Sequence, residues 1–313
     1  MGDLITTGGV LHSNEYNDIV ETICDVFNCC RDEIMDIKAL QKGLTNIVLS
    51  FRYNGGKYVY RHPGNGSDVL ANRGRESIVQ KQIEESGVDN TLIAMSVDNG
   101  WRISRFVESR PFDYHNLNDA VRAMLLLRDL HLVSPKVRWD NDVMRGASRI
   151  AAKVPVDFYG SNVDEFVDFN AIKTRLEAFY EQTKHDGIAR CLTHGDCRDE
   201  NFLINEEEIY LIDWEYAGFG DPGYDIGSYI CGGIHTEDEV DRLLFIDLGR
   251  KPTYKELRHY YGYIALTGYF YMHWVMYKEA CGQKVGYLKD NWYMYADKYS
   301  KKAYDLYFNK LES

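Results

Sequence analysis

Two aspartates and one asparagine have the types and spacing to do chemistry. Asp196 stands five residues before Asn201, in the stretch Thr193-His194-Gly195-Asp196-Cys197-Arg198-Asp199-Glu200-Asn201, and Asp213 follows twelve residues later. The apolar runs Phe202 to Ile204 and Tyr210 to Ile212 flank a charged, turn-rich Asn205 to Glu208. That alternation predicts a β-hairpin, which is expected to bring Asn201 and Asp213 side by side at one mouth. Two hard oxygen ligands there suit Mg²⁺, which keeps several waters and completes its shell with phosphates. Asp196, on the loop before the hairpin, is then free to take the proton of a substrate hydroxyl.

This is the arrangement of a kinase catalytic loop with its metal aspartate, written here as His194-Gly-Asp-x-x-x-x-Asn201 and Ile212-Asp-Trp-Glu-Tyr216. In this form it resembles the aminoglycoside phosphotransferase and choline kinase superfamily of small-molecule kinases. The continuation Gly218-Phe-Gly-Asp-Pro-Gly-Tyr-Asp225-Ile-Gly-Ser228 resembles choline and ethanolamine kinases more closely still. The resemblance runs from about Lys42 to the C-terminus. It implies an α+β, protein-kinase-like bilobal fold: a small N-lobe with an antiparallel sheet over residues 1–108, binding nucleotide, and a larger, mainly helical C-lobe over residues 109–313, carrying catalysis and substrate. It also implies ATP and Mg²⁺ as cofactors and transfer to the hydroxyl of choline, giving phosphocholine and ADP. Ethanolamine kinase and aminoglycoside phosphotransferase stay open on the same scaffold. So does a catalytically dead relative that binds a nucleotide or an amine, although Asp196, Asn201 and Asp213 are all in place.

Further residues take roles from the resemblance. Arg61 stands where the nucleotide phosphates are held by a cation, with Glu76 expected to pair with it and orient it. The turn Gly43-Leu-Thr45-Asn46 is expected to lay backbone N–H groups over the phosphates. Phe106 and Glu108 fall at the hinge whose backbone holds adenine. Glu215 and Tyr216 are expected in the substrate pocket, and Tyr271 and Trp274 stand where the family places a tryptophan pair that cages a cation. The ring of His194 is expected to bond the loop backbone, and buried Asp225 to hold that loop by its amides.

Elements must position these groups. Residues 14–30 carry an amphipathic helix pattern capped by Ser13 or Asn14. Strands are expected after residue 32, over 47–51 and 58–61 about the Asn54-Gly-Gly56 turn, and around Asp98-Asn-Gly100. Helices are expected over 68–86, 117–130, 163–184, 260–280 and from 293 onward, with 134–162 as loop. Tyr260 to Tyr277 holds no Asp, Glu, Lys or Arg but has six tyrosines, and reads as a buried or pocket-lining helix rather than a membrane span.

Composition narrows the classes. The 313-residue chain is 27% charged and 45% hydrophobic, ordinary for a globular protein. A net charge of −12 with no basic cluster argues against nucleic acid; the resemblance, not the charge, implies a small cationic amino alcohol as partner. Seven cysteines without a Cys-x-x-Cys pair suggest neither a disulfide framework nor zinc, and a reducing cytoplasm is expected. The N-terminal residues do not read as a signal peptide.

Overall fold

The computed structural model describes residues 4–6, 9–40, 46–63, 72–158 and 168–309. The chain divides into two compact units, residues 1–112 with 203–216, and residues 113–202 with 217–313. The sequence suggested a single cut after residue 108; the stretch 203–216 groups with the first unit instead.

In the first unit a five-stranded antiparallel sheet has the order β3-β4-β5-β7-β6, formed by β3 (Met35–Ala39), β4 (Ile47–Tyr53), β5 (Gly56–His62), β6 (Leu92–Met95) and β7 (Arg102–Arg105). A short pair, β1 (Leu4–Thr6) and β2 (Gly9–Leu11), precedes it. Leu49 and Phe51, two apart on β4, and Tyr60 and Ile103, paired across β5 and β7, are buried. Ile19 and Ile23 of helix α1 (Ser13–Phe27) pack on them. Each such side chain contributes about 1.5–3 kcal/mol by leaving water. The cap of α1 is His12, one residue earlier than expected; its N–H donates to Glu15 Oε2 at 3.0 Å. Helix α2 (Arg73–Ser86) starts at Asn72, whose side chain accepts from Arg75 N. The expected hairpin forms from β10 (Phe202–Ile204) and β11 (Ile209–Leu211), and Asn205 Oδ1 closes its turn by accepting from the N–H groups of Glu207 and Glu208.

The second unit is mainly helical. It contains α3 (Leu117–Leu132), α4 (Val143–Ala151), α5 (Phe169–Thr183), α6 (Pro222–Gly232), α7 (Glu237–Leu248), α8 (Tyr254–Ala280) and α9 (Lys289–Tyr304), with a small sheet ordered β8-β12-β9 from β8 (Asp140–Asn141), β9 (Cys191–Thr193) and β12 (Gly218–Gly220). Helix α4 corrects the expected 134–162 loop. Asp142 caps it, and Val143, Ala147 and Ile150 bury one face at helical spacing. Helix α8 is the axis of the unit. Thr253 and Glu256 form its capping box, and nearly every side chain from His259 to Lys278 is buried, as expected of a segment without charges between 260 and 277. Among the described residues no helix is long and apolar enough to cross a membrane. Helix α6 crosses α8 at Gly227, where a Cβ would come within 2.6 Å of Thr267 Oγ1 and 2.8 Å of the Tyr263 carbonyl.

Candidate active site

The loop after β9 is held from beneath. Asp225, fully buried on α6, accepts from Gly195 N at 2.7 Å and from His194 N at 2.9 Å. His131 Nε2 lies 3.0 Å from the same carboxylate. Burial works against this charge, but His131, His194 and the loop amides outweigh it and hold the Asp225 carboxyl below its ordinary pKa. Gly195 turns at φ +86, a left-handed conformation that favours glycine. The chain then doubles back so that Asp196 N donates to His194 Nδ1 at 3.1 Å, the shaping bond expected of that ring. Cys197 N donates to Ser228 Oγ at 2.7 Å; its thiol is buried and pushed well up by desolvation, in keeping with a bystander.

Asp196 is the focus of the second unit's cluster. Its carboxylate accepts from Asn201 Nδ2 at 2.9 Å and from Tyr271 OH at 3.0 Å. Asn201 Nδ2 also donates to the Asp196 carbonyl at 2.8 Å. Both donor bonds use the amide nitrogen, which leaves Asn201 Oδ1 as the end suited to a cation. Tyr271, placed by α8, shares a 2.6 Å hydrogen bond with Ser228. Its ring lies 4.8 Å from Trp292 of α9, and Trp274 meets the same indole edge-on at 6.3 Å. The predicted pair is therefore part of a three-ring cluster. Trp292 was missed because it comes from another helix, 18 residues beyond Trp274.

Arg198 was also missed. Its guanidinium lies over Tyr271 and Trp274, 5.9 and 5.8 Å from the ring centroids. Arg198 Nε donates to Asp196 Oδ1 at 3.0 Å, and an Nη group donates to Glu200. Burial pushes the Glu200 carboxyl up to about 7, against the pull of Arg198. The chain's own cation thus occupies the ring faces expected to hold a substrate cation.

The first unit carries its own cluster of predicted residues. Arg61 on β5 pairs with Asp213 and lies 3.4 Å from Glu215. With its amide oxygen turned toward the guanidinium, Asn46 accepts from Arg61 Nε at 2.9 Å and from Nη2 at 2.7 Å. Burial disfavours the Arg61 charge, yet Asp213 and Glu215 outweigh it and keep it firmly protonated. Glu76 does not bond Arg61 directly. It pairs with Arg73 at 2.8 Å and Arg102 at 3.4 Å, and Arg73 reaches Glu215 at 3.0 Å. Glu76 is thus linked to Arg61 through Arg73 and Glu215, with Arg73 at the helix start between them. Glu215, expected in the substrate pocket, belongs to this network. Burial, with Asp213 adding to it, pushes its carboxyl up to about 7 against Arg61 and Arg73. Tyr216 ends the same short turn, Trp214–Tyr216, and is half-buried. Trp214 anchors that turn, fully buried, with Nε1 donating to Asp89 at 3.2 Å.

Asp213 itself has φ +76, a region where a non-glycine residue costs on the order of 1–3 kcal/mol and where strain gathers at functional sites. Its carboxylate, like the Asn201 side-chain oxygen in the other unit, is by its chemistry a hard oxygen donor of the kind Mg²⁺ prefers. At the hinge, the Phe106 ring lies under Lys57 Nζ at 3.4 Å and its N–H donates to the Lys57 carbonyl. Glu108 pairs with Lys57 at 2.8 Å, and its carbonyl accepts from Asn205 Nδ2. Phe106 N–H and the Glu108 carbonyl are thus already engaged within the unit. Gly43 and Thr45 lie outside the described residues.

The fold is α+β and protein-kinase-like. Choline kinase LicA from Streptococcus pneumoniae shares it with a TM-score of 0.75 at 18% identity, covering 93% of this chain and 100% of that one. An ethanolamine kinase from Plasmodium vivax gives a TM-score of 0.74 at 14% identity, covering 94% and 90%. The family model for choline/ethanolamine kinase matches residues 37–263, and the chain belongs to that family. Protein LicA of Haemophilus influenzae is 25% identical over 207 residues, 64% of this chain and 60% of its own length. A probable ethanolamine kinase of Arabidopsis thaliana is 23% identical over 212 residues, 63% of this chain and 56% of its own. The match thus spans less than two thirds of the length of either curated relative.

Proposed function

We propose that the chain transfers the γ-phosphoryl group of ATP to the hydroxyl of a small amino alcohol, with choline the best fit, giving phosphocholine and ADP. The observation that carries this reading is Asp196: a carboxylate aimed by Asn201 and Tyr271 on a loop whose amides are locked by Asp225. Asp196 orients the hydroxyl and takes its proton. Arg61, held by Asn46 and Glu215, neutralises charge on the nucleotide phosphates. Asn201 and Asp213 would hold Mg²⁺, which supplies charge neutralisation on the phosphates when bound. Catalysis is then positioning and electrostatics, since the transferred group needs little covalent help.

The acceptor's cation is read by the rings of Tyr271, Trp274 and Trp292, where it must displace Arg198. That displacement gives ethanolamine standing as a second reading. Arg198 bridges two carboxylates, Asp196 and Glu200, and a primary ammonium can replace those donated bonds while a quaternary ammonium cannot. ADP release from Mg-ATP, measured with choline, ethanolamine and an aminoglycoside, tests both. A rate with choline far above the others supports the ring cluster as a quaternary-ammonium site. A rate with ethanolamine alone keeps the kinase and assigns the slot to hydrogen-bonding ammonium, and a rate with the aminoglycoside alone discards the amino-alcohol pocket. No rate with any acceptor refutes the reading and leaves a binding protein on a kinase scaffold. A cytoplasmic enzyme fits the free cysteines among the described residues.

A further inference from the structure

Three side chains outside the catalytic loop converge at the start of α7. His115 lies on the segment that leads into α3, while His235 and Glu239 stand four residues apart across the N-terminus of α7. One ligand atom from each lies within 4.8 Å of the other two, and His115 Nδ1 is 3.4 Å from Glu239 Oε1. The second Glu239 oxygen, Oε2, is committed to the capping box, accepting from Thr236 N at 2.7 Å and Thr236 Oγ1 at 3.0 Å. That bond fixes the carboxylate and leaves Oε1 for the cluster. His235 is 7% exposed, and its Nε2 is buried with no hydrogen-bond partner among the described residues. A neutral imidazole nitrogen without a partner offers a lone pair for a ligand bond. His115 is exposed, which gives an ion an entry route.

We propose that His115, His235 and Glu239 bind one divalent transition-metal ion of the zinc class, with water completing the shell. Two imidazoles and one carboxylate form a known donor set for zinc. Mg²⁺ and Ca²⁺ take oxygen ligands instead, so this site is distinct in chemistry from Asn201 and Asp213. The buried His235 ring also has a reason to be where it is. Tyr114 packs edge-on against it at 5.7 Å, and Tyr114 OH accepts from Asp199 N in the catalytic loop at 2.7 Å. An ion tying the start of α3 to the start of α7 would brace the ring that supports that loop.

The test is titration of Zn²⁺, and of Co²⁺ for its spectrum, into the full chain in excess Mg²⁺. Cys29 and Cys30 are changed to serine because neighbouring thiols at Cys24, Cys29 and Cys30 are competing soft ligands. The expected result is one ion per chain, a Co²⁺ absorption typical of four-coordinate sites, and a higher melting temperature. His115→Ala and Glu239→Gln should each weaken binding about 10-fold or more. Both variants should fold, since His115 is exposed and glutamine keeps a capping oxygen; circular dichroism checks this. Failure to bind Zn²⁺ in excess Mg²⁺ would overturn the proposal, as would stoichiometric binding that neither substitution weakens.

Discussion

Asp225→Asn isolates what holds the catalytic loop, because it keeps volume and removes one acceptor oxygen. In the wild type, Oδ1 accepts from Gly195 N, and Oδ2 accepts from His194 N beside His131 Nε2. An asparagine must turn its NH₂ toward one of these two amides. Whichever way it turns, a charge-assisted bond worth about 1.5–3 kcal/mol is lost and a buried N–H donor is left facing a donor. His131 also loses its anionic partner. The sum is on the order of 3–4 kcal/mol, or a fall of roughly 10 °C in melting temperature for a unit of this size. The loss is concentrated on His194 and Gly195, the two residues before Asp196, so turnover should drop more steeply than acceptor affinity. Scanning calorimetry with steady-state ADP release provides the assay. A variant with wild-type melting temperature and rate would refute the claim that Asp225 positions this loop.

The remaining expectations are as concrete. Asp196→Ala should abolish transfer while ATP still binds, measured by ADP release alongside nucleotide titration. Arg61→Ala leaves Asp213 and Glu215 facing each other without their shared cation, and breaking a buried pair costs about 3–5 kcal/mol; a fall in ATP affinity and a lower melting temperature are expected, with Arg61→Lys restoring charge but only part of the affinity. Arg198→Leu should lower the KM for choline, since it vacates the ring faces of Tyr271 and Trp274; an unchanged KM would mean the acceptor cation does not bind there. His259 gives a pH signature. Burial lowers its pKa, but Asp186 and Asp221 outweigh this and raise it from 6.5 to about 9, a contribution on the order of 3 kcal/mol. A raised histidine stabilises the fold fully below pH 6.5, and the stabilisation is lost as pH rises through 9. Denaturation midpoints should therefore fall across that window in the wild type and flatten in His259→Gln.

Most of the loop from Thr193 to Asn201 was legible because its hydrogen bonds are local. Asp196 and Asn201 are five residues apart, their bond closes within one loop, and the hairpin that follows is written in its own alternation and turn. Asp225 was legible only through the family's motif, since nothing in a lone buried acid says which amides it will meet. Helix α4 escaped because its nine residues lie between Pro135 and Pro155 and carry Gly146 inside, and its period shows only in Val143, Ala147 and Ile150.

The charged network of the first unit escaped for a different reason. Arg61 meets Asp213 across 152 residues of sequence, and at that range pattern carries no information about partners. Glu76 could be picked from a charged helix, but its pairing with Arg61 required knowing that Arg73 would intervene three residues away on the same face. Arg198 makes the sharpest case. It sits in the middle of the motif, two residues past Asp196, and motif logic treats such a position as filler. Packing gives it a role that spacing cannot express: it folds back on Asp196 and covers two rings delivered by a helix more than 70 residues later. If the proposed acceptor must evict that guanidinium, its affinity is set as much by Arg198 and Glu200 as by the rings of Tyr271 and Trp274.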